Sequence, residues 1–314
     1  MTSAFVYPGQ GASLVQGMGK ELYEAFPLAK EIFQEVNDAL SQDLTKLVFE
    51  GPMDELSLTE NAQPALMTVS VALTRVLLKE SGKSLKDLAS CVAGHSLGEY
   101  SALCSAGVFS LSDAAKLLKT RGKAMQSAVP VGKGAMAAVI GMGFDALEGV
   151  VADASSGEIC VIANDNAPGQ IVISGDVAAV ERAMSLASER GARKSVALPV
   201  SAPFHCPLMQ PASDVMAEAL AGISMSKPDV PLMANVTAAL TEDPEEIRNL
   251  LIQQVTGQVR WRESTLNIEK NGVQTIVEIG SGKVLTGLTR RIAPELGMVN
   301  LSTPQDIETY IKTL

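Results

Sequence analysis

The chain has 314 residues, of which 46% are hydrophobic and 4% aromatic. So many aliphatic side chains can fill a sizeable core, which excludes a disordered protein, and the length allows two globular units of about 150 residues each. With 25 basic and 35 acidic side chains, the net charge is −10, and this charge disfavours both nucleic acid and anionic membrane surfaces as partners.

Neither a membrane span nor a signal peptide is predicted. An apolar run at 64–78 is interrupted by Arg75 and is shorter than the ~18 residues that a span needs. The N-terminal sequence lacks the basic and apolar segments of a signal peptide. None of the four cysteines has CxxC spacing, so we expect reduced thiols and a soluble protein of the cytoplasm.

The first part of the chain alternates short apolar runs with helical periodicity. In chain order the predicted elements are a strand at 4–7, a helix at 19–40, a strand at 90–93, a helix that ends near residue 106 and a helix at 112–127. Ser112 or Asp113 is the expected N-cap of the last helix. Short buried strands that alternate with helices predict an α/β fold with a largely parallel sheet.

Residues 129–198 show a different order of elements. The predicted elements are strands at 136–140, 159–163, 170–174 and 193–198 and helices at 144–154 and 177–189. This βαββαβ order is the ferredoxin-like arrangement, and the segments that flank it, 129–134 and Pro199, resemble hinges. We therefore expect a small subdomain at 129–198, inserted into a larger domain formed by 1–128 and 199–314. A strand predicted at 273–279 and a helix at 284–292 repeat the strand–helix pattern of the larger domain.

The segment 94–100 reads GHSLGEY and lies where a predicted strand meets a predicted helix. This is the G-x-S-x-G nucleophile elbow, in which the serine occupies a strained turn between small neighbours. The N-terminus of the helix that follows supplies free N–H groups for an oxyanion. The strand–turn–helix context argues against a chance match in a chain with 26 glycines, so Ser96 is predicted to be a nucleophile.

A serine nucleophile needs a base, and the chain has only two histidines, His95 and His205. Successive side chains in an elbow point apart, so we interpret His95 as a packing residue and His205 as the base. A metal site or a Cys–His pair at Cys206 is rejected, because no further ligand has suitable spacing. No triad acid emerges from the sequence, and a backbone carbonyl is the alternative group that orients the imidazole.

Two glycine-rich segments resemble phosphate-binding loops without fitting their patterns. The GQG run at 9–11 follows a strand, but Leu14 stands where a dinucleotide loop has its third glycine. The GSGK run at 280–283 lacks the first glycine and the Ser/Thr of a P-loop. We expect phosphate chemistry at neither.

Five segments, in this order along the chain, carry a resemblance to a known family: GQG at 9–11, GHSLGEY at 94–100, RGK at 121–123, FH at 204–205 and EIGSGKVL at 278–285. Together they closely resemble the malonyl-CoA:acyl-carrier-protein transacylases of dissociated fatty acid synthesis. The resemblance extends from Phe5 to about Ile292. It implies an α/β-hydrolase-like core with a ferredoxin-like insert and an active site in the cleft between them.

The resemblance also implies a role for each matching residue. Ser96 would carry the malonyl group as an ester, and His205 would act as base and acid in a ping-pong transfer. Backbone N–H groups of Gln10 and Leu97 would form the oxyanion hole.

Further implied roles concern the substrate and the histidine. Arg121, which by itself resembles a solvated side chain, would bind the malonyl carboxylate in a bidentate pair. The backbone carbonyl that orients the family's histidine matches Gln254. Asn166 matches a loop of the insert that faces the cleft, and Met125 is expected to line it. Phe204, a bulky residue, is associated with malonyl rather than branched substrates.

The resemblance defines the expected partners as well. Malonyl-CoA and acyl carrier protein are the substrates; no cofactor or metal is expected, and the chain is expected to be a monomer. Its length favours fatty acid over polyketide synthesis. We expect the acidic carrier protein to dock on a basic patch, with six candidate residues: Lys116, Lys119, Arg193, Lys194, Arg290 and Arg291.

The sequence departs from the family in one loop and leaves two rival functions open. The family's GQGxQ pattern is here GQGAS at 9–13, with a glutamine only at Gln16. An esterase or thioesterase would share the elbow and base, but it would have a carboxylate orienter and a histidine near the C-terminus. A degenerate docking module would have lost Ser96, His205 or Arg121, and all three are present.

Overall fold

The computed structural model describes residues 2–11, 13–200 and 202–314, and within them ten strands form two sheets that fifteen helices surround. The strands are β1 (Ser3–Tyr7), β2 (Cys91–Gly94), β3 (Gly134–Ile140), β4 (Cys160–Ala167), β5 (Gln170–Asp176), β6 (Lys194–Ala197), β7 (Leu232–Met233), β8 (Leu240–Thr241), β9 (Thr275–Ile279) and β10 (Gly297–Leu301).

The helices alternate with these strands along most of the chain. They are α1 (Lys20–Ala25), α2 (Pro27–Leu40), α3 (Leu44–Glu50), α4 (Met53–Leu56), α5 (Thr59–Ser81), α6 (Leu85–Leu88), α7 (Gly98–Ser105), α8 (Leu111–Ser127), α9 (Phe144–Ser155), α10 (Val177–Glu189), α11 (Gln210–Ala221), α12 (Pro244–Thr256), α13 (Trp261–Lys270), α14 (Val284–Ile292) and α15 (Pro304–Ile311). A 3₁₀ turn at Pro207–Met209 precedes α11.

The larger sheet has the order β10-β9-β1-β2-β7-β8 and is parallel except for its last pair. All five residues of β1 are buried, because this central strand is covered on both faces by apolar clusters. β1 and β2 run parallel with Tyr7 opposite Gly94. The loops that leave these two strands, at 8–11 and 95–97, therefore begin side by side at one edge of the sheet.

The smaller sheet has the order β4-β5-β3-β6, and all of its pairs are antiparallel. Helices α9 and α10 pack on one face, while the other face carries an apolar cluster that includes Met136 and contacts Phe204. This is the ferredoxin-like βαββαβ unit that the sequence predicts, and the α/β fold class is confirmed. The division into 1–128 with 199–314 and 129–198 stays a prediction.

The outer edge of β4 is fastened to the segment that precedes α13. Val259 donates its N–H to the Ala163 carbonyl at 2.8 Å and accepts the Asp165 N–H at 3.0 Å. The Arg262 guanidinium pairs with the buried Asp165 carboxylate at 2.8 Å. The flanking segments predicted as hinges are therefore not the only connections between the two sheets.

Two predictions at helix boundaries are wrong. The helix predicted at 19–40 is divided into α1 and α2, because Phe26 is extended (φ −124°, ψ 122°) and Pro27 begins a new helix. The N-cap of α8 is neither Ser112 nor Asp113 but Ser110, whose hydroxyl accepts the Asp113 N–H at 3.0 Å. A serine three positions before an acid at the start of a helix satisfies the capping pattern better.

Two further features of the described residues concern the cysteines and the length of the apolar helices. All four cysteines, Cys91, Cys104, Cys160 and Cys206, are buried free thiols. Among the described residues, no helix combines the length and the apolar character that crossing a membrane requires.

Candidate active site

The predicted nucleophile elbow joins β2 to α7. Ser96 has a positive φ of 52°, which costs a non-glycine residue about 1–2 kcal/mol. A Cβ added to Gly94 would lie 1.9 Å from the Gly98 carbonyl, and one added to Gly98 would lie 2.2 Å from the Tyr7 carbonyl oxygen. The two glycines of the motif are therefore required by the close approach of the turn to its own helix and to β1.

His205 faces the serine at hydrogen-bonding distance. Its Nε2 lies 2.8 Å from Ser96 Oγ, and its Nδ1 lies 2.9 Å from the Gln254 carbonyl and 3.2 Å from the Gly257 carbonyl. A carbonyl oxygen only accepts, so Nδ1 carries the proton and Nε2 presents its lone pair to the serine hydroxyl. The Gln254 carbonyl thus lies where the family resemblance implied, and Gly257 adds a second acceptor that the sequence did not indicate.

The surroundings of His205 keep its imidazole neutral. Burial lowers the pKa of His205 to about 3, and the positive charge of Arg121 acts in the same direction. The backbone carbonyls of Gln254 and Gly257 oppose this shift. At neutral pH the ring is therefore free to accept a proton from Ser96.

Arg121 is 1% exposed, so its interpretation as a solvated side chain is wrong. The reason lies in the packing of α8 on α5, where Gly122 touches the backbone of Glu60. Arg121 Nη1 donates to Gln63 Oε1 at 2.9 Å, and Nη2 donates to Ser96 Oγ at 3.1 Å and to Gln254 Oε1 at 2.8 Å. Among the described residues, no acidic side chain forms an ion pair with it. A buried cation without a charged partner therefore lies beside the nucleophile.

The two residues expected to form the oxyanion hole, Gln10 and Leu97, both line the cavity at Ser96. A Cβ on Gly9 would lie 2.7 Å from the His95 carbonyl, so glycine lets the 9–11 loop approach the elbow. Within the described part of the chain, neither the Gln10 nor the Leu97 N–H donates to another residue. Ala12 of the divergent GQGAS segment lies outside the described residues.

The cavity has a volume of about 410 Å³ and lies between the loops that follow β1 and β2 and the face of the smaller sheet that carries Met136. Its polar side chains include Gln63, Ser96, Arg121, Asn164 and His205. Most of the remaining wall is apolar, and the predicted cleft residues Met125 and Phe204 belong to it. An apolar cavity with a few convergent polar groups is typical of a small-molecule site.

Asn166 does not lie in a loop that faces the cleft, as the family resemblance implied. It lies on β4 rather than in a loop, and its Oδ1 accepts a hydrogen bond from His95 Nε2 at 2.8 Å. Asn164 lines the cavity instead, because irregularities in the pairing of β4 with β5 on either side of it alter which side chains face the cleft. His95 also packs at 5.6 Å from the Trp261 ring, which agrees with its interpretation as a packing residue.

Side chains for which the sequence predicts no role hold the elbow in place by hydrogen bonds. Ser96 N–H donates to Asn235 Oδ1 at 2.8 Å, and Gln254 Nε2 donates to the Ser96 carbonyl at 3.0 Å. Glu99 in turn accepts from both Asn235 N–H and Gln254 Nε2. Asn235 follows β7, and ligand-binding residues collect at the carboxyl ends of parallel strands. A prediction of β7 from the sequence would therefore have indicated this position.

Comparisons with known proteins identify the family to which the chain belongs. A family model described as "Acyl transferase domain" matches residues 4–294. A malonyl CoA-acyl carrier protein transacylase of Bacillus subtilis (strain 168) is 45% identical over 312 residues, which cover 99% of this chain and 96% of the relative. The solved structure of an acyl-carrier-protein S-malonyltransferase from Bartonella henselae has a TM-score of 0.97 and 53% identity. The match covers 100% of this chain and 99% of the Bartonella chain.

A second solved structure contains a malonyl-transacylase in complex with the acyl-carrier protein of a type II polyketide synthase. It has a TM-score of 0.96 and 41% identity, and the match covers 100% of both chains. The chain described here therefore belongs to the acyl transferase family and, within it, to the malonyl-CoA:acyl-carrier-protein transacylases.

Proposed function

We propose that this chain transfers a malonyl group from malonyl-CoA to the phosphopantetheine thiol of acyl carrier protein, through a malonyl ester on Ser96. One observation carries the proposal: Arg121 is buried without an acidic partner among the described residues, and its Nη2 lies 3.1 Å from Ser96 Oγ. The malonyl carboxylate is two bonds from the carbon that Ser96 attacks. An ester on Oγ therefore holds the carboxylate within reach of the guanidinium.

In the first half-reaction, His205 Nε2 takes the proton of the Ser96 hydroxyl as Oγ attacks the thioester carbon. The tetrahedral oxyanion accepts hydrogen bonds from the free N–H groups of Gln10 and Leu97. Collapse of this intermediate breaks the carbon–sulfur bond, and the CoA sulfur leaves with the proton that His205 held. The products are CoA thiol and the malonyl ester of Ser96.

The second half-reaction reverses these steps with a different thiol. His205 takes the proton of the carrier's thiol, the sulfur attacks the ester carbon, and Ser96 leaves and regains its proton. Two carbonyl oxygens orient His205, and within the described ranges no carboxylate accepts a hydrogen bond from its Nδ1. This arrangement favours transfer over the esterase and thioesterase alternative, whose members use an acid at that place.

Selection for malonyl follows from the same arginine. An acetyl group has no carboxylate, so its binding would bury Arg121 without a charged partner, and a site built for a polar group rejects the analogue that lacks it. Lysine could not reproduce a bidentate contact with the carboxylate.

Intact-protein mass spectrometry after brief exposure to malonyl-CoA tests the proposal. We expect a malonyl adduct that is absent in Ser96→Ala and scarce with acetyl-CoA, and that moves to acyl carrier protein on its addition. Arg121→Ala should form the malonyl adduct about 100-fold more slowly, as expected for the loss of about 3 kcal/mol from a buried charged hydrogen bond. An adduct equally strong with acetyl-CoA contradicts the malonyl assignment, and one that water removes within seconds favours a thioesterase.

The fatty acid pathway, the cytoplasmic location and the monomeric state stay predictions. Each is independent of the chemistry at Ser96, so the adduct experiment does not depend on them.

A further inference from the structure

We propose that Glu99 is a positioning residue for carboxylate recognition, because it fixes the side-chain amide of Gln254 with its oxygen toward Arg121. The inference deepens the proposed function and rests on it, since it concerns how the arginine is prepared for the malonyl carboxylate. No role in the transfer reaction is needed for Glu99 itself.

Glu99 lies in the first turn of α7 and is 1% exposed. One carboxylate oxygen accepts the Asn235 N–H at 2.8 Å, and the other accepts Gln254 Nε2. Among the described residues, no lysine, arginine or histidine forms an ion pair with it. Both oxygens of this buried carboxylate are therefore engaged by N–H donors.

The carboxylate determines which way the Gln254 amide faces. The two ends of an amide have nearly the same shape and differ only in donating or accepting hydrogen bonds. An ionised carboxylate only accepts, so it admits the NH₂ end of Gln254, whose second proton goes to the Ser96 carbonyl at 3.0 Å. The amide oxygen is then left for Arg121 Nη2 at 2.8 Å. The opposite orientation would place an NH₂ group against the guanidinium.

The same arrangement keeps the Glu99 carboxylate out of contact with Arg121, because the Gln254 amide lies between them. Arg121 is held by three uncharged oxygens, those of Gln63, Gln254 and the Ser96 hydroxyl. A carboxylate in direct contact with Arg121 would compete with the carboxylate of the substrate. With Gln254 between them, Glu99 orders the guanidinium and leaves it unpaired.

Glu99→Gln tests this inference directly. The added NH₂ group must face either Asn235 N–H or Gln254 Nε2, so the orientation of Gln254 is no longer fixed. We expect the malonyl-to-acetyl ratio of kcat/KM for acylation of Ser96 to fall at least about 10-fold, with a higher KM for malonyl-CoA and little change for acetyl-CoA. The measurement is made at pH ~8.5, above the pKa of Glu99, which burial raises to about 7.

Glu278→Gln is the matched control. Glu278 is also a buried glutamate, but its carboxylate caps α14 by accepting from the backbone of Leu285 and Thr286, away from the cavity. This variant should lose stability and keep the ratio of the unmodified protein. An unchanged ratio in folded Glu99→Gln, including an equal loss with both donors, overturns the inference.

Where Glu99→Gln does not fold, the double variant Glu99→Gln with Gln254→Glu replaces it. The double variant restores a donor–acceptor pair between the two positions, but it leaves the Ser96 carbonyl without its donor and places a carboxylate on Arg121. We expect a folded protein with a reduced malonyl-to-acetyl ratio. A ratio equal to that of the unmodified protein overturns the inference. Failure of the proposed function is a separate result, in which the unmodified protein itself does not prefer malonyl-CoA.

Discussion

Arg121 and His205 both contact the Ser96 hydroxyl, and the charge of the arginine affects the protonation of the histidine. After burial, the positive charge of Arg121 is the largest cause of the low pKa of His205. A malonyl carboxylate paired with Arg121 would compensate that charge. We therefore infer that the imidazole becomes a stronger base when the correct substrate is bound, and that an acetyl group does not have this effect.

This electrostatic coupling predicts a pH dependence. A base works in its unprotonated form, so a pKa lowered to about 3 keeps His205 active well below pH 6.5, the usual pKa of histidine. With acetyl-CoA as donor, we expect the acid limb of kcat/KM for acylation below pH ~5. In Arg121→Ala the limb should move to higher pH, because one cause of the depressed pKa has been removed. Acetyl-CoA is used because it has no carboxyl group of its own to titrate.

Two results would contradict this account. A limb near pH 6.5 that persists in Glu99→Gln would mean that His205 titrates as if it were exposed, because the pKa of Glu99, about 7, lies in the same range. An unmoved limb in Arg121→Ala, measured in a variant shown to be folded, would mean that the arginine does not act on the imidazole.

At the scale of elements, the close packing of α8 on α5 is what buries Arg121. Gly122 makes this contact possible, because a Cβ at that position would lie 2.5 Å from the Glu60 Cα and 2.6 Å from the Thr59 carbonyl oxygen. Neither of these backbone atoms can move without displacing the start of α5, which carries Gln63. The glycine after the arginine is thus a packing requirement of the site.

Gly122→Ala should lower the free energy of unfolding by about 2 kcal/mol or more, since an added methyl group must separate two helices. Gly149→Ala is the matched control, because Gly149 lies in α9 with no atom within 4 Å of the added Cβ. That substitution should stabilise the protein by about 0.5–1 kcal/mol. Urea denaturation of both variants measures the difference, and equal stabilities would show that α8 and α5 can separate at no cost.

The sequence predicts those elements whose local pattern is strong. The helices at 177–189 and 284–292 agree with the structure at both ends, and the elbow follows from its glycines. The strands β7 and β8 have only two residues each, too few for a period to appear. Asn235 was missed for this reason.

Other site residues depend on tertiary contacts that no local pattern contains. Arg121 and Gln63 meet only because two helices cross at Gly122. Asn164 replaces Asn166 in the cavity because of irregularities in β4, and a bulge depends on the neighbouring strand as much as on the residues in it.

At the scale of the whole molecule, a net charge of −10 opposes the docking of a carrier protein that we expect to be acidic. The structure divides the six candidate basic residues. Lys119 binds Glu60 and Asn61, and Arg291 donates to the Pro168 carbonyl and to Gln170. Lys116, Arg193, Lys194 and Arg290 are exposed.

Charge reversal of those four exposed residues to glutamate should raise the KM for acyl carrier protein by about 10-fold or more at low salt, because complementary charge steers association. The KM for malonyl-CoA and the rate of Ser96 acylation are measured in parallel, to separate carrier docking from CoA binding. Lys119 and Arg291 are left intact, since their reversal would break internal contacts. An unchanged KM for the carrier would contradict a basic docking patch.

The two hydrogen bonds between β4 and Val259 affect any transplant of the ferredoxin-like unit into a related scaffold. A graft of 129–198 alone would arrive with the Ala163 carbonyl and Asp165 N–H of an edge strand unpaired, and with a buried Asp165 carboxylate lacking its arginine. Such an edge is open to pairing with other chains, and a scaffold that buried the Asp165 carboxylate without a cation would be strongly destabilised. A working chimaera must therefore take its second donor fragment from around 259–262 together with the first.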